Sequence, residues 1–302
     1  MERGDISIDS LSGGFDLQST IESGQSYLWS REDGTTYETK QAYGDDGWYW
    51  TTFRPEGRDQ PAVIRVRQVD GRLEWESHVD ADAHLHHRLR LDDDLDAILA
   101  QTPDDQLLDA AYETYRGMRL VRDPPFETLI SFICSAQMRV ERIYGMQQTL
   151  RETYGQSITF EGTEYHTYPT PDTLAEATEE ELRELGLGYR APYVTQSAEL
   201  VASGERDPAA PTSRSYEGAR EYLTGFVGVG QKVADCILLF SLGYLEAVPL
   251  DTWIRQTIEE YYPHCDRGNY DETSRAIREQ FGGAYAGYAQ TYVFHYLRNG
   301  GE

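Results

Sequence analysis

The chain has 302 residues, which is enough to bury a full hydrophobic core and to form two or three modules. Its 52 acidic and 27 basic residues give a net charge of −25, and its three cysteines are too few for a four-thiolate iron–sulfur cluster or a disulfide framework. No apolar run reaches the roughly 18 residues of a membrane span and no signal segment opens the chain, so we expect a cytoplasmic protein without a membrane anchor.

Short apolar stretches separated by Asp-Gly turns occupy the first quarter of the chain. Apolar and polar residues alternate within them, as expected for an antiparallel sheet with one buried face. The pattern predicts four strands, at 36–43, 47–55, 62–70 and 71–79. Acidic amphipathic helices follow over 91–117, so residues 1–115 are predicted to form an N-terminal antiparallel β domain with a helical extension.

The remainder of the chain, residues 116–302, has the periodicity of a mostly helical domain. Pro125 begins an apolar helix that ends near a polar, cationic corner at Gln137. Further helices are predicted at 141–154, 172–185 and 281–297. The predicted fold class is therefore α+β, with the sheet preceding the helices.

The most informative stretch runs from residue 223 to residue 255 and has the pattern of a helix end, a glycine hairpin, a second helix, a turn and a third helix. We place the whole hairpin unit at 216–243. Gly228 and Gly230 allow the tight backbone angles of such a hairpin. Backbone N–H groups at the start of a helix suit a phosphate, so the hairpin is a candidate phosphate-binding site.

Lys232, in the first turn of the second helix, is one of only two lysines, with Lys40, whereas the other 25 basic residues are arginine. If a surface cation were enough here, arginine would be expected. An amine can instead lose its proton and attack an electrophilic carbon, which a guanidinium cannot do. Asp251 at the start of the third helix is a candidate partner. It is equally suited to be a simple helix N-cap, and Lys232 to be a solvated helix-start residue.

The acidic excess and the near absence of lysine are typical of proteins that stay soluble in high salt, so the sequence predicts a halophilic, archaeal source. Nucleic-acid-binding proteins usually carry a basic footprint. Any nucleic-acid interface on this chain is therefore expected to be a local basic or helix-dipole patch on an acidic surface.

Several motifs, in the same order along the chain, resemble those of the 8-oxoguanine DNA glycosylase family, within the helix-hairpin-helix, Gly/Pro-Asp superfamily of base-excision enzymes. The hairpin motif is GVGQKVADC at 228–236, and VPLD follows at 248–251. The other matching stretches are SGQSYLW (23–29), DPPFETLISFICSAQ (123–137), LGLGYRAPYV (185–194) and AYAGYAQ (284–290). The resemblance implies an N-terminal sheet domain similar to the TATA-binding protein, followed by a helical glycosylase core.

The resemblance further implies an enzyme that flips 8-oxoguanine out of double-stranded DNA, excises it and nicks the strand by β-elimination from a lysine Schiff base. The catalytic residues would be Lys232 and Asp251. The base pocket would consist of Gly24, Cys236, Gln290 and Phe294. The DNA and the estranged base would be held by Gln137, Arg142, Tyr189, Arg190, Gly228 and Gly230. No cofactor is implied, but a structural K⁺ or Na⁺ ion would bind the backbone carbonyls of Thr224, Phe226 and Val229.

The chain departs from the family pattern in two places. Gln137, Met138 and Arg139 stand where the family has three asparagines, which leaves the preference for the opposite base open. Trp253 stands where the family has a histidine that reaches a flanking phosphate. Two other interpretations also stay open: a hydrolytic glycosylase of alkylated bases that uses Asp251 and water, and a non-catalytic DNA-binding protein. In the leading interpretation the partner is duplex DNA with an oxidised purine, and the protein is a monomer.

Overall fold

A computed structural model describes residues 1–38 and 46–301. Within these ranges a five-stranded antiparallel sheet has the strand order β1-β5-β4-β3-β2. Its strands are β1 (Glu2–Ser7), β2 (Ser30–Arg31), β3 (Tyr49–Phe53), β4 (Ala62–Val69) and β5 (Arg72–Ser77). Asp70 and Gly71 have φ angles of +48° and +72° and make the two-residue turn between β4 and β5, as the Asp-Gly signal predicts.

Three of the four predicted strands correspond to β3, β4 and β5. The fourth was expected at 36–43; residues 39–43 lie outside the described residues, and 36–38 form a turn. The sequence pattern did not predict β1 and β2. In β1 only Ile6 is buried, so this edge strand lacks the alternation that marks a half-buried strand, and β2 is two residues long.

Helices make up most of the rest of the described chain. In the N-terminal part α1 (Leu17–Glu22) lies between β1 and β2, and α2 (Asp82–Arg88), α3 (Leu95–Leu99) and α4 (Gln106–Thr114) follow β5. The later ones are α5 (Pro125–Cys134), α6 (Val140–Tyr154), α7 (Pro171–Glu176), α8 (Glu179–Glu184), α9 (Ala191–Ala202), α10 (Tyr216–Leu223), α11 (Gln231–Ile237), α12 (Thr252–Tyr261), α13 (Tyr270–Gln280) and α14 (Ala286–Arg298). A short hairpin, β6 (Ser157–Phe160) and β7 (Thr163–His166), follows α6. The α+β class predicted from the sequence is confirmed.

The single helix predicted at 172–185 is wrong, because the structure divides this segment into α7 and α8. Ala177 has extended backbone angles, and Thr178 caps α8. The Thr178 hydroxyl accepts from the Glu181 N–H, while the Glu181 carboxylate accepts from the Thr178 N–H. This reciprocal capping box stabilises a new helix start in the middle of a helical pattern.

The predicted helix that begins at Pro125 lies at the centre of the larger hydrophobic core. In α5, Leu129, Ile130, Phe132 and Ile133 are all buried, and α9 and α11 pack against this helix. The polar residue Ser135 follows immediately after the apolar helix. The apolar run therefore positions whatever chemistry lies at its C-terminal end.

Hydrophobic packing crosses the boundary predicted at residue 115. Leu107 and Leu108 of α4 share a core with Ile254 of α12 and Val293 of α14. The sheet has a separate core on its inner face. The boundary itself stays a prediction. No helix in the described ranges is both long enough and apolar enough to cross a membrane.

Candidate active site

The glycine hairpin lies between α10 and α11, as the spacing predicts. Gly228 has a φ of +81°, and a Cβ there would come within 2.8 Å of the Tyr193 ring, so only glycine fits. Gly230 is the N-cap of α11 and provides no side-chain cap. Both glycines line the large cavity described below, so the open end of α11 faces the candidate site.

Lys232 is the second residue of α11, and its side chain reaches towards the end of α5. Its amine donates to the Ser135 hydroxyl oxygen over 2.9 Å and lies 5.5 Å from the centre of the Phe132 ring. The Ser135 hydroxyl in turn donates to the Phe132 carbonyl over 2.7 Å. The amine is therefore held against α5 and not on an open surface.

Asp251 is the N-cap of α12 and borders the same cavity as Lys232. Its carboxylate accepts from the Ile254 N–H over 2.8 Å and also interacts with the backbone N–H of Trp253. Burial raises the pKa of Asp251, and the nearby Lys232 cation partly offsets this rise. The two roles considered for Asp251, helix cap and electrostatic partner, are thus compatible in one side chain.

Both candidate catalytic residues open onto one cavity of about 1320 Å³. The predicted base-pocket residues also line it: Gly24, Cys236, Gln290 and Phe294. Cys236 lies one helical turn after Lys232, so the two side chains share a face of α11. Burial raises the pKa of the Cys236 thiol to about 12, and this group is therefore a neutral, apolar wall of the cavity at ordinary pH.

Gly24 contributes backbone and no side chain to this wall. Its φ is +93°, and a Cβ there would lie 3.1 Å from Phe294 Cε1, 3.1 Å from Val140 Cγ1 and 3.0 Å from Arg298 Nη1. The N-terminal segment therefore contacts α6 and α14 closely at this point. The sequence signature around Gly24 and the aromatic helix, 270 residues apart, meet in one pocket.

Polar cavity residues that the sequence patterns did not single out include Ser135, His295 and Arg298. Arg298 donates to the carbonyls of Glu22 (2.8 Å) and Ser23 (3.2 Å) and so caps the C-terminal end of α1 just before Gly24. His295 is buried beside it, and burial holds its pKa well below the ordinary value. The one available signal was spacing, since Arg298 follows Phe294 by one helical turn.

The predicted DNA-contacting residues divide into two groups. Gln137 lines the cavity, is exposed, and has a φ of +56°. A non-glycine residue in this region is strained by about 1–3 kcal/mol, as at many functional sites. Arg142, Tyr189 and Arg190 do not line the cavity. Arg190 is buried and donates to the carbonyl of Ala136, immediately before Gln137.

Tyr189 and Arg142 form part of the surface near that turn. Tyr189 is 54% exposed, and the Arg190 guanidinium lies 4.4 Å from the centre of its ring. Arg142 is exposed, with its guanidinium next to Gly186. Arg190 thus supports an exposed aromatic ring on one side and the Gln137 turn on the other.

The cavity lining is less acidic than the chain as a whole. Its charged members are balanced, four basic against four acidic, while the chain has 27 against 52. They are Lys232, Arg139, Arg255 and Arg298, and Glu22, Glu38, Glu141 and Asp251. Trp253 lies at the rim and is 39% exposed. The described residues contain no group of three or more His, Cys, Asp or Glu side chains arranged for a metal ion.

Comparison with known proteins shows the family to which the chain belongs. Residues 130–282 match the model of the HhH-GPD superfamily base excision DNA repair proteins, and residues 7–129 match the 8-oxoguanine DNA glycosylase N-terminal domain. The chain belongs to the 8-oxoguanine DNA glycosylase family of the HhH-GPD superfamily. Both matches agree with the resemblance seen in the sequence motifs.

Three relatives show how far the family likeness extends. A probable N-glycosylase/DNA lyase of Methanothermobacter thermautotrophicus is 31% identical over 96% of this chain and 95% of its own length. An N-glycosylase/DNA lyase of Saccharomyces cerevisiae is 31% identical over 82% of this chain and 68% of its own. The structure of a Clostridium acetobutylicum 8-oxoguanine glycosylase/lyase, in complex with duplex DNA containing cytosine opposite 8-oxoguanine, superposes with a TM-score of 0.79 at 28% identity, covering 94% of this chain and 92% of that one.

Proposed function

We propose that this protein is a bifunctional DNA glycosylase and abasic-site lyase that removes 8-oxoguanine from duplex DNA. The observation that carries the proposal is the position of the Lys232 amine, fixed on Ser135 over 2.9 Å at the wall of a cavity shared with Asp251. A nucleophilic amine and a carboxylate that border one cavity, large enough for an extruded base, fit an attack on the sugar of a flipped nucleotide. The activities named for the three relatives agree with this chemistry.

The proposed reaction begins when the Lys232 ammonium, the cation that lowers the pKa of Asp251, gives up a proton to water and becomes a neutral amine. Its lone pair forms a bond to the sugar C1′ while the bond from C1′ to the base nitrogen breaks, and the base leaves with the bonding electrons and takes up a proton. The Asp251 carboxylate stabilises the positive character of the sugar as the base leaves. The C1′–O4′ bond then breaks, O4′ takes up a proton, and C1′ and Lys232 are joined by a protonated Schiff base.

The lyase step follows from the Schiff base. The iminium withdraws electrons, so the proton on C2′ becomes acidic and is lost to a proton acceptor. The C3′–O bond breaks with release of the phosphate, which nicks the strand on the 3′ side of the lesion. Hydrolysis of the iminium regenerates Lys232.

Base selection would depend on the walls of the cavity. Gly24 would present its backbone carbonyl to the N7–H that distinguishes 8-oxoguanine from guanine. Phe294 and Cys236 would enclose the two faces of the base, and Gln290 would bind its Watson–Crick edge. The left-handed backbone of Gly24 and the burial of Cys236 and Gln290 support this assignment.

The DNA would be held around the cavity mouth. Gln137, in its strained and exposed turn, would enter the space left by the flipped nucleotide, with Arg142, Arg190 and Tyr189 around the estranged base. The N–H groups near Gly228 and Gly230 would bind a backbone phosphate. Arg190 is buried and donates to the Ala136 carbonyl, so we also assign it the role of holding the turn before Gln137.

A monovalent cation would complete this interface. The backbone carbonyls of Thr224, Phe226 and Val229 lie in the turn between α10 and α11, where K⁺ or Na⁺ would offset phosphate charge on an acidic protein. No other cofactor is required for amine chemistry. DNA binding should then depend on the identity of the cation, with K⁺ or Na⁺ more effective than choline at equal ionic strength. Monomeric state, cytoplasmic location and a halophilic archaeal source remain predictions.

Borohydride trapping on an 8-oxoguanine duplex, in molar KCl, tests the proposal. The enzyme should form a covalent protein–DNA complex that is lost in Lys232→Gln. The matched control is Lys40→Gln, which removes the only other lysine and should leave trapping intact. Base release without a trapped species would instead indicate a hydrolytic glycosylase that uses Asp251. If neither base release nor trapping occurs, the interpretation that remains is a non-catalytic DNA-binding protein.

A further inference from the structure

A second carboxylate lies on α11, three residues after Lys232, and takes no part in the proposed reaction. Asp235 is fully buried. One of its oxygens accepts from the Tyr216 hydroxyl and the other from the Tyr270 hydroxyl, each over 2.7 Å. The Arg220 guanidinium, 3.7 Å away, partly balances its charge. A buried carboxylate that binds two tyrosines is expensive to desolvate, so its position needs a reason.

Tyr270 connects this carboxylate to the segment that precedes Asp251. Its hydroxyl oxygen donates to Asp235 and also accepts from the Leu250 N–H over 3.1 Å. A hydroxyl that donates to a carboxylate becomes a better acceptor, so the two bonds reinforce each other. Pro249 has no N–H, and the Asp251 N–H bonds to the Pro249 carbonyl within the turn (2.9 Å). The Leu250 N–H is therefore the backbone donor that ties this turn to α13.

We propose that Asp235 and Tyr270 are positioning residues that set the separation between the Lys232 amine and the Asp251 carboxylate. Lys232 and Asp235 are fixed relative to each other because they lie on one helix. Asp251 follows Leu250 directly, so the bond from Leu250 to Tyr270 fixes the start of α12. Two hydrogen bonds, from Tyr270 to Asp235 and from Leu250 to Tyr270, therefore connect the helix that carries Lys232 to the residue before Asp251. The proposal rests on the function proposed above.

The decisive variant is Tyr270→Phe, which keeps the ring and removes the hydroxyl. A misplacement of about 1 Å can lower a rate about 100-fold, so we expect the single-turnover rate of 8-oxoguanine excision at saturating enzyme to fall at least 10-fold. The dissociation constant for an uncleavable abasic-analogue duplex should change less than about twofold, because the DNA-contacting residues are elsewhere.

The matched control is Tyr288→Phe. Tyr288 is buried and, like Tyr270, donates to an aspartate, in this case Asp93 over 2.6 Å. Neither tyrosine lines the cavity, but only Tyr270 is bonded to the residue before Asp251. This variant should lose comparable thermal stability and keep the excision rate within about twofold. Equal rates for Tyr270→Phe and the wild type, or equal rate losses in the two tyrosine variants, would overturn the proposal.

A pH profile separates positioning from general loosening of the fold. Burial raises the pKa of Asp251; Lys232 and Arg255 are the cations that lower it, while the neighbouring Tyr27 and Cys236 are neutral. If Asp251 moves away from Lys232, the cation lowers the pKa of Asp251 by less, and that pKa rises. The acidic limb of the pH–rate profile should then shift to higher pH in Tyr270→Phe and stay unchanged in Tyr288→Phe. A profile that does not shift would contradict the proposed displacement.

Asp235→Asn keeps the proposal testable if Tyr270→Phe does not fold in molar KCl. Tyr216 and Tyr270 donate to different oxygens of Asp235, and asparagine replaces one of these oxygens with an NH₂ donor, so one of the two tyrosines loses its acceptor. We expect an excision rate 3- to 10-fold below wild type with the acidic limb shifted in the same direction; an unchanged rate and profile would overturn the proposal. If the wild-type protein itself neither excises 8-oxoguanine nor forms a trapped complex, the proposed function fails. If it does both and the variants match it, only the positioning role fails.

Discussion

The substitution Gly24→Ala tests the base pocket directly. Gly24 has a φ of +93°, and its backbone is enclosed by Phe294, Val140 and Arg298, which would lie 3.0–3.1 Å from an added Cβ. Two costs therefore combine. An L-residue with positive φ costs roughly 1–2 kcal/mol, and a methyl group forced into a filled space costs about 1–3 kcal/mol more.

Gly34→Ala separates these two costs. Gly34 also has a positive φ, +79°, but an added Cβ there would meet no atom within 4 Å. It therefore carries the backbone cost alone, about 1–2 kcal/mol. For a chain of this size we take about 2 °C of melting temperature per kcal/mol, so Gly24→Ala should melt roughly 2–6 °C below Gly34→Ala.

Two assays in molar KCl test the pair. Thermal unfolding gives the stability difference, and single-turnover excision of 8-oxoguanine reports on the pocket. The added methyl would approach Phe294, so excision by Gly24→Ala should fall at least about 10-fold, whereas Gly34→Ala should match the wild type. Cleavage of a preformed abasic site should fall much less in Gly24→Ala, because that substrate has no base to accommodate.

Equal melting temperatures for the two alanine variants would refute the packing argument at Gly24. A wild-type excision rate in Gly24→Ala would refute its place in the base pocket. Equal losses of base excision and abasic-site cleavage would show that the substitution acts on the catalytic residues and not on base binding.

Three further predictions concern single cavity residues. Arg298→Met should lower the free energy of unfolding by about 1.5–3 kcal/mol, because two hydrogen bonds from a cation to backbone carbonyls are lost. Denaturant titration measures this change, and Arg298→Lys should lower the free energy of unfolding by less. Trp253→His should steepen the salt dependence of DNA binding by up to about one unit below pH 6, where histidine is charged, and an unchanged slope at pH 8 is the control. Burial raises the pKa of Cys236 to about 12, so at pH 8 iodoacetamide should modify the native thiol at least about 100-fold more slowly than the unfolded one, as mass spectrometry would show.

The sequence patterns predicted local structure well where one physical signal was strong. The Asp-Gly turn at Asp70 is a hairpin because both residues adopt positive φ. The apolar run after Pro125 is a buried helix. The pattern failed at β1, whose edge position leaves a single buried side chain, and at Thr178, whose capping box interrupts an otherwise helical segment.

The candidate site was predicted in part. Gly228 and Gly230 of the hairpin, Lys232, Asp251 and the four residues predicted for a base pocket line one cavity, while their roles stay predictions. Ser135 and Arg298 were missed, since neither stands in a pattern that demands chemistry. Their roles depend on partners far away in the chain, Lys232 for one and the carbonyls of Glu22 and Ser23 for the other.

The sequence by itself determined the order of elements, the family motifs and the rarity of lysine that marks Lys232, because these properties depend on local pattern and composition. Only the tertiary structure decided which oxygen holds the amine, which residue closes the turn before Gly24, and how a tyrosine ties α11 to Asp251. Such contacts join residues 20 to 276 positions apart, and no local periodicity encodes a distance across the folded chain.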